Sequence, residues 1–345
     1  MSQKKEKLLK GMFIFGALFG FMFFGHIVEA RAASSDGFRW KYEVGARSVA
    51  PAPGRITLWA AQEIKKRSNG RLDIQVYFGT LGYRISNAIR TLGQGLIEGQ
   101  HVFGDFVAGD LPLLSIMGLP GLIPKNSLAL QKKIHETLYP RFAQAALKRN
   151  IVLLGGYQAP GRRIFTTKKL NDLSKLKGMV LRAHSPSDVL LTKSVGASPA
   201  DIAFTETEMA IRRGTVDGIV TQDKGILDLN LVDFVKTCFD IDMGGSMVWF
   251  AFSKKAWDTL SPELQEIVRE VCEMAMDAGW IITRITTDEI YDKYRKAGMK
   301  ILDLTEDEKR VIQKGTARAV DDWIRRVGPQ GRELVDIVKK MTAAQ

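Results

Sequence analysis

The sequence predicts an α/β protein of two similar lobes, each a mixed sheet flanked by helices, with one long helix spanning both. Three features lead there. Strand-like and helix-like stretches alternate along nearly the whole chain, the pattern of layered α/β folds. The turn Gly95-Leu-Ile-Glu98-Gly99, set between a helix and a strand, is echoed by Gly214-Thr-Val-Asp217-Gly218 in the same setting. One β-α-β unit is therefore expected in each lobe, beside a shared cleft. Third, apolar residues recur at helical spacing from Leu264 to Tyr294; continued to Lys296, such a helix reaches about 50 Å, more than one lobe can use.

The chain opens with Lys4, Lys5, Lys7 and Lys10, then a 15-residue apolar run from Gly11 to Gly25 and the small-residue site Ala30-Arg-Ala32. These parts make a secretory signal peptide over residues 1–32, and the run is short of the roughly 20 residues that span a bilayer. Cleavage leaves 313 residues, enough for two lobes of about 150 each, exported to the periplasm.

Phe38 to Gly45 alternates as a first strand and enters a loop carrying Arg47, ahead of a helix over 56–68 closed by Asn69-Gly70. A strand over 71–78, a helix over 86–94 and the Glu98 turn follow. The segment Leu111 to Pro124 is apolar and broken by proline and glycine; an amphipathic helix over 127–150 and a buried strand over 151–156 come next. The second lobe begins near Gly161-Arg162-Arg163. Its strand Leu176-Lys-Gly-Met-Val-Leu-Arg182 is followed by Thr205-x-x-Glu208, which reads as a capping box, and by Gly214 as a helix stop.

That lobe closes over 234–242, and the chain returns through a strand holding Trp249, either an aromatic wall beside a ligand or ordinary core. Ser261 caps the long helix, Pro262 suits its first position, and Gly279 near its middle is a place where a bend can be absorbed. A strand over 299–304, a capping box Thr305-x-x-Glu308, a helix to Val327 and a terminal helix from Gly331 complete the chain. Lobe I is thus expected to comprise residues 37–159, 248–287 and 316–345, and lobe II residues 160–247 and 288–315.

Lys and Arg number 50 against 38 Asp and Glu, a net charge of +12; without residues 1–32 the count is 45 against 36, or +9. A basic surface suits anionic small molecules or membrane surfaces. Nucleic acid is set aside, because the export signal is the wrong address and the basic residues form no cluster interleaved with aromatics. Cys238 and Cys272 allow one disulfide at most, and two buried free thiols is the simpler reading. There is no Walker A loop, no G-x-G-x-x-G after a strand, no H-E-x-x-H and no G-x-S-x-G, and the four histidines have no metal-ligand spacing. No metal or cofactor is expected. A secreted enzyme acting on a small anionic substrate is the alternative reading, and it requires catalytic groups assembled from distant segments. Glu98 and Asp217 read as structural acceptors.

Arg182 is the residue to explain. At a strand end its guanidinium presents a planar fork of donors that matches a carboxylate, although a single arginine is as readily solvated or structurally paired. His184, two residues on, either touches a ligand or is a satisfied surface group.

Leu176-Lys-Gly-x-x-Leu-Arg182, Val195-Gly-Ala-Ser-Pro199, Thr205-x-x-Glu208 and Val216-Asp-Gly218, in that order, resemble the solute-binding protein of a TRAP-type (tripartite ATP-independent periplasmic) transporter, the DctP-like family of the C4-dicarboxylate-binding protein. The resemblance covers nearly the whole mature chain. It implies the two-lobed periplasmic binding protein fold, a small organic acid anion held in the inter-lobe cleft, and delivery to the small and large integral membrane subunits of a permease. It also implies a second ligand arginine: the Gly-x-Arg motif gives Arg163, whereas counting back from Lys177-Gly178 without a gap gives Arg162. Adjacent strand residues face opposite ways, so only one can serve, and the motif favours Arg163. Thr221 stands where members that bind sialic acid carry asparagine, and Phe103 where they carry glutamate, with Asp105 nearby. These departures point to a smaller or more apolar carboxylate, in a pocket with Phe103 and Trp249. Gln222 and Arg47 complete the predicted site.

Overall fold

A computed structural model describes residues 37–45, 52–123, 128–159 and 161–343. The signal peptide, Arg47 and Pro160 lie outside the described residues. The strands are β1 (Phe38–Val44), β2 (Leu72–Phe78), β3 (Gly99–Phe103), β4 (Ile151–Gln158), β5 (Arg162–Thr166), β6 (Val180–Arg182), β7 (Ser198–Ala200), β8 (Gly218–Gln222), β9 (Thr237–Met243), β10 (Met247–Ser253) and β11 (Lys300–Asp303). The helices are α1 (Ala52–Arg67), α2 (Ala88–Gly93), α3 (Leu128–Leu147), α4 (Pro186–Ser194), α5 (Thr207–Arg212), α6 (Gly225–Asp228), α7 (Lys254–Trp257), α8 (Pro262–Lys296), α9 (Glu306–Thr316), α10 (Arg318–Val327) and α11 (Pro329–Ala343).

The strands form two sheets, one per lobe. The first runs β2-β1-β3-β10-β4 and the second β11-β9-β5-β8-β6-β7. Each is mixed: β1 pairs parallel with β2 and β3 while β10 is antiparallel to β3 and β4, and β6 is parallel to β8 while β5 is antiparallel to it. Strand β10 lies inside the first sheet and all seven of its residues are buried, which explains its unbroken run Met-Val-Trp-Phe-Ala-Phe. Two further apolar clusters hold the second sheet, one around Ile164, Leu181 and Phe239, the other around Phe165, Ile219 and Tyr294.

The two Gly-x-aliphatic-acid-Gly turns do the same job. Glu98 accepts the Lys41 N–H at 2.8 Å, and Asp217 accepts the Val180 N–H at 2.9 Å. Each acid therefore satisfies an amide of the strand that pairs in parallel with the one it precedes, β1 beside β3 and β6 beside β8. This is the physical content of the repeat.

Helix α8 has 35 residues, about 52 Å at 1.5 Å per residue, and touches both lobes. Near its middle the Trp280 Nε1–H donates to Gly156 O of the first sheet at 3.1 Å; near its end the Tyr291 hydroxyl donates to Asp223 of the second lobe at 3.2 Å. At Gly279 the helix runs on without a break. A Cβ there would lie 2.4 Å from the Tyr157 ring, so glycine is required for the close approach of α8 to β4.

Ser261 and Thr305 cap their helices as expected. The expected box at Thr205 is absent: a 3-10 turn occupies 204–206 and α5 starts at Thr207 with no side-chain cap. The box forms instead at Ser185 and Asp188, ahead of α4. The helix expected to run to Val327 breaks at Ala317 into α9 and α10. Both cysteines are free and buried. Among the described residues no helix is long and apolar enough to cross a membrane.

Candidate functional site

Sheet direction collects the site. Strands β6 and β8 run parallel toward the end of the second sheet where the antiparallel β5 begins: Arg182 closes β6 level with Ile219 of β8, and Arg162 opens β5 opposite Gln222, further along the same strand. Arg182 is 2% exposed. Its Nε–H donates to Ile202 O at 2.9 Å, its guanidinium lies 5.9 Å from the centre of the Phe204 ring, and its Nη2 has no partner among the described residues. Burial lowers its pKa and Arg162 adds to that, while Asp188 and Asp201 pull the other way.

Arg162, 3% exposed, joins the lobes. It pairs with Asp105, just past β3 of the first lobe, and its Nε lies 3.2 Å from Oδ1 of Asp188 in α4. Its Nη1 has no partner among the described residues. The capping box fixes Asp188 for this role, since Oδ2 accepts the Ser185 N–H at 3.2 Å and leaves Oδ1 for the arginine. Asp105 is held by its own N–H, which donates to Ser246 Oγ at 3.3 Å.

Arg163 goes the other way. Its Nε lies 2.6 Å from the Tyr291 hydroxyl, 2.8 Å from Asp240 and 3.3 Å from Asp223, a buried cluster between β5, β9 and α8. The preference for Arg163 as the second cleft arginine therefore gives way to Arg162, the residue that ungapped counting picks out. The neighbouring pair alternates faces, and α8 claims one of them.

In β8, Gln222 stands opposite Arg162 and Thr221 opposite Arg163. Thr221 is backed by Gly225, where a Cβ would come within 2.4 Å of its hydroxyl oxygen. Trp249 is core, which settles its two readings against a ligand wall: it is fully buried, edge-on to Phe142 at 5.6 Å, with Gly104 and Gly156 pressed against its ring. Phe103 is buried one layer behind the cleft, edge-on to Phe106 at 5.8 Å. The half-buried Phe106 lines the cavity instead, its ring 4.6 Å from that of His184 across the lobes. Burial lowers the His184 pKa, helped by Arg182 and opposed by Asp201, whose Oδ1 is 2.8 Å from Nδ1. Phe106, Asp188 and Glu43 escaped the sequence reading. The Ser185-x-x-Asp188 pattern was a usable signal for one of them.

Beside these groups lies a cavity of about 500 Å³, lined by Glu43, Asp105 and Phe106 from the first lobe and by His184, Asp201 and Phe204 from the second. Glu43 is buried and accepts the N–H groups of Gly79 and Leu81; burial raises its pKa and those bonds hold it down. At the rim Arg84 and Glu206 approach to 3.5 Å, both largely exposed and so weakly coupled. No group of three His, Cys, Asp or Glu able to hold a metal occurs among the described residues. Arg182 and Arg162 are not in the cavity's lining; Arg182 stands behind Phe204 of its wall, and Arg162 behind Asp105.

A family model of bacterial extracellular solute-binding proteins, family 7 (DctP), matches residues 54–326. A solute-binding protein of Albidiferax ferrireducens is 23% identical over 252 residues, 71% of this chain and 73% of its own length. The crystal structure of DctP7, a Bordetella pertussis extracytoplasmic solute receptor binding pyroglutamic acid, is 25% identical with a TM-score of 0.81, covering 88% of this chain and 100% of that one. A TRAP periplasmic solute-binding protein from Desulfovibrio salexigens with bound orotic acid reaches the same TM-score at 18% identity, over 89% and 99%, a likeness of fold.

Proposed function

The chain belongs to the family 7 bacterial extracellular solute-binding proteins, and on that footing we propose that it is the periplasmic receptor of a TRAP-type transporter, closing on a small organic carboxylate and presenting it to the two membrane subunits. One observation carries the reading. Arg182 is buried at the lobe boundary, holds a single hydrogen bond to a backbone carbonyl, and keeps Nη2 without a partner among the described residues. A buried guanidinium nitrogen left open is costly unless an anion completes it, and a carboxylate has the matching fork.

Arg162, with Gln222 beside it, takes the place of the second cleft arginine by offering its open Nη1 as a donor while its charge stays paired with Asp105 and Asp188, and Phe106 and His184 form the wall. The similar receptors named above bind pyroglutamic and orotic acid, which supports an organic acid as the class. The enzyme reading draws no support from any group described in the site.

Native mass spectrometry of the purified protein, followed by thermal denaturation with the compound it carries, tests the assignment. A receptor shows saturable stabilisation, about 2.7 kcal/mol at 100 times the dissociation constant, and returns the compound unchanged. Conversion of the bound compound overturns the assignment, as does the absence of stabilisation by any organic acid.

A further inference from the structure

The buried charges at the site are unevenly spent. Arg162 faces two carboxylates, Asp105 and Asp188, which are 3% and 4% exposed, so its charge is already more than answered within the protein. Arg182 has no ion pair within 4 Å among the described residues. Among the described buried residues of the site, Arg182 is thus the guanidinium whose charge no carboxylate answers, enough for one ligand carboxylate. The cavity itself is lined by Glu43 and Asp105, both buried, by Asp201 and by the exposed rim pair Arg84 and Glu206, while Arg182 lies behind Phe204 of its wall. Ionised carboxylates only accept hydrogen bonds, so they favour O–H or N–H groups on a ligand and repel a second carboxylate in a poorly screened interior. Burial and Arg182 lower the His184 pKa, against the pull of Asp201 and Asp188, so the ring is a poor source of charge to offset that repulsion.

We infer that the site selects monocarboxylates bearing hydroxyl or N–H donors at the end away from the carboxylate, and discriminates against dicarboxylates of the same size. The inference rests on the receptor reading, since it concerns the ligand of that same cleft. Two acids hold the selectivity. Asp105 is the carboxylate of the Arg162 cluster that lines the cavity, and removing its charge lessens the repulsion a second ligand carboxylate meets, while Asp188 still answers Arg162. Glu43 sets the polarity of the opposite wall.

The test is a thermal-shift and calorimetric panel of matched pairs on the full mature protein: 4-hydroxybutanoate against succinate, 5-hydroxypentanoate and pyroglutamate against glutarate, and wider sets of hydroxy acids and dicarboxylates of up to eight carbons. The strongest binder is expected among the monocarboxylates, at least tenfold above any dicarboxylate. In Asp105→Asn, and separately in Glu43→Gln, the ratio of dicarboxylate to monocarboxylate affinity is expected to rise at least tenfold. A dicarboxylate as the strongest binder of the wild type overturns the inference and leaves the receptor reading intact. An unchanged ratio in both variants, each shown folded by circular dichroism, also overturns it. Failure of every acid to bind overturns the receptor reading itself.

Discussion

Arg162 and Arg163 are consecutive in β5, yet their guanidinium groups enter two separate ion clusters, one between the lobes and one against α8. A single strand thus carries a ligand-facing charge and a structural charge side by side. Arg163→Ala leaves Asp223 and Asp240 without this arginine in a buried setting, and removing one partner of such a group costs about 3–5 kcal/mol. Denaturant unfolding is expected to show that loss. Whatever of the variant stays folded should bind ligand within a few-fold of wild type, and a variant with unchanged stability and abolished binding would return Arg163 to the cleft.

Arg182→Ala should do the opposite. The side chain closes no ion pair within 4 Å among the described residues, so folding should persist while affinity in a calorimetric titration falls by at least a hundredfold. Arg182→Lys should not restore it, because an ammonium lacks the planar fork. Binding by the alanine variant within threefold of wild type removes Arg182 from the site.

Gly279→Ala is expected to destabilise the protein by about 1–3 kcal/mol, the range for inserting a methyl into a packed contact. The new Cβ would meet the Tyr157 ring at 2.4 Å, so α8 must lift off β4 or the tyrosine must shift. Tyr157→Leu on the same background should recover part of the loss in thermal unfolding. Recovery of nothing would mean that the contact is not the reason for the glycine.

This last residue shows what the sequence could and could not supply. Periodicity marked α8 from Leu264 to Tyr294, and the repeated acid turns foretold one β-α-β unit per lobe, because both are local patterns repeated in register. That Arg182 closes a strand was legible because a lone charge ended an apolar run. Arg162 and Arg163 were not separable, since the choice depends on which face α8 covers, a contact with Tyr291, 128 residues away. Trp249 was ambiguous for the same reason: only the glycines at 104 and 156, distant in sequence, show that its ring is enclosed. Thr205 carried a correct capping pattern, yet the chain took a 3-10 turn there and left the pattern unused.

A pH dependence follows from Asp228 in α6. Burial pushes its carboxyl up to about 6, against the pull of Lys224 and of Arg55 from the first lobe. The folded protein holds this proton more tightly than the unfolded chain, whose Asp titrates near 4. The contribution is thus fully present below about pH 4 and is lost as pH rises to about 6, at no more than about 1.4 kcal/mol per pH unit for one proton. Asp228→Asn cannot ionise, so the stability difference between variant and wild type, measured by urea unfolding from pH 4 to 7, should grow in favour of the variant across that window. A flat difference means the carboxyl titrates normally.

Closure of the lobes is the remaining prediction, and it rests on the contacts that cross between them. Phe106 meets His184 at 4.6 Å, Arg162 reaches Asp105, and Arg84 approaches Glu206, so the described form is one in which the two sheets' edges face each other closely. None of these is strong enough alone to hold the lobes together: the rim pair is exposed, and the Asp105 pair gives up hydration for its Coulomb gain. A ligand bridging Arg182 and the first lobe supplies the missing difference in affinity between open and closed forms. Small-angle scattering should therefore show a smaller radius of gyration when the mature protein is saturated with its ligand, and Phe106→Ala should need more ligand to reach the same compaction. An unchanged radius under saturation would mean that the lobes do not move on binding, and a membrane partner would then have no shape by which to tell the loaded receptor from the empty one.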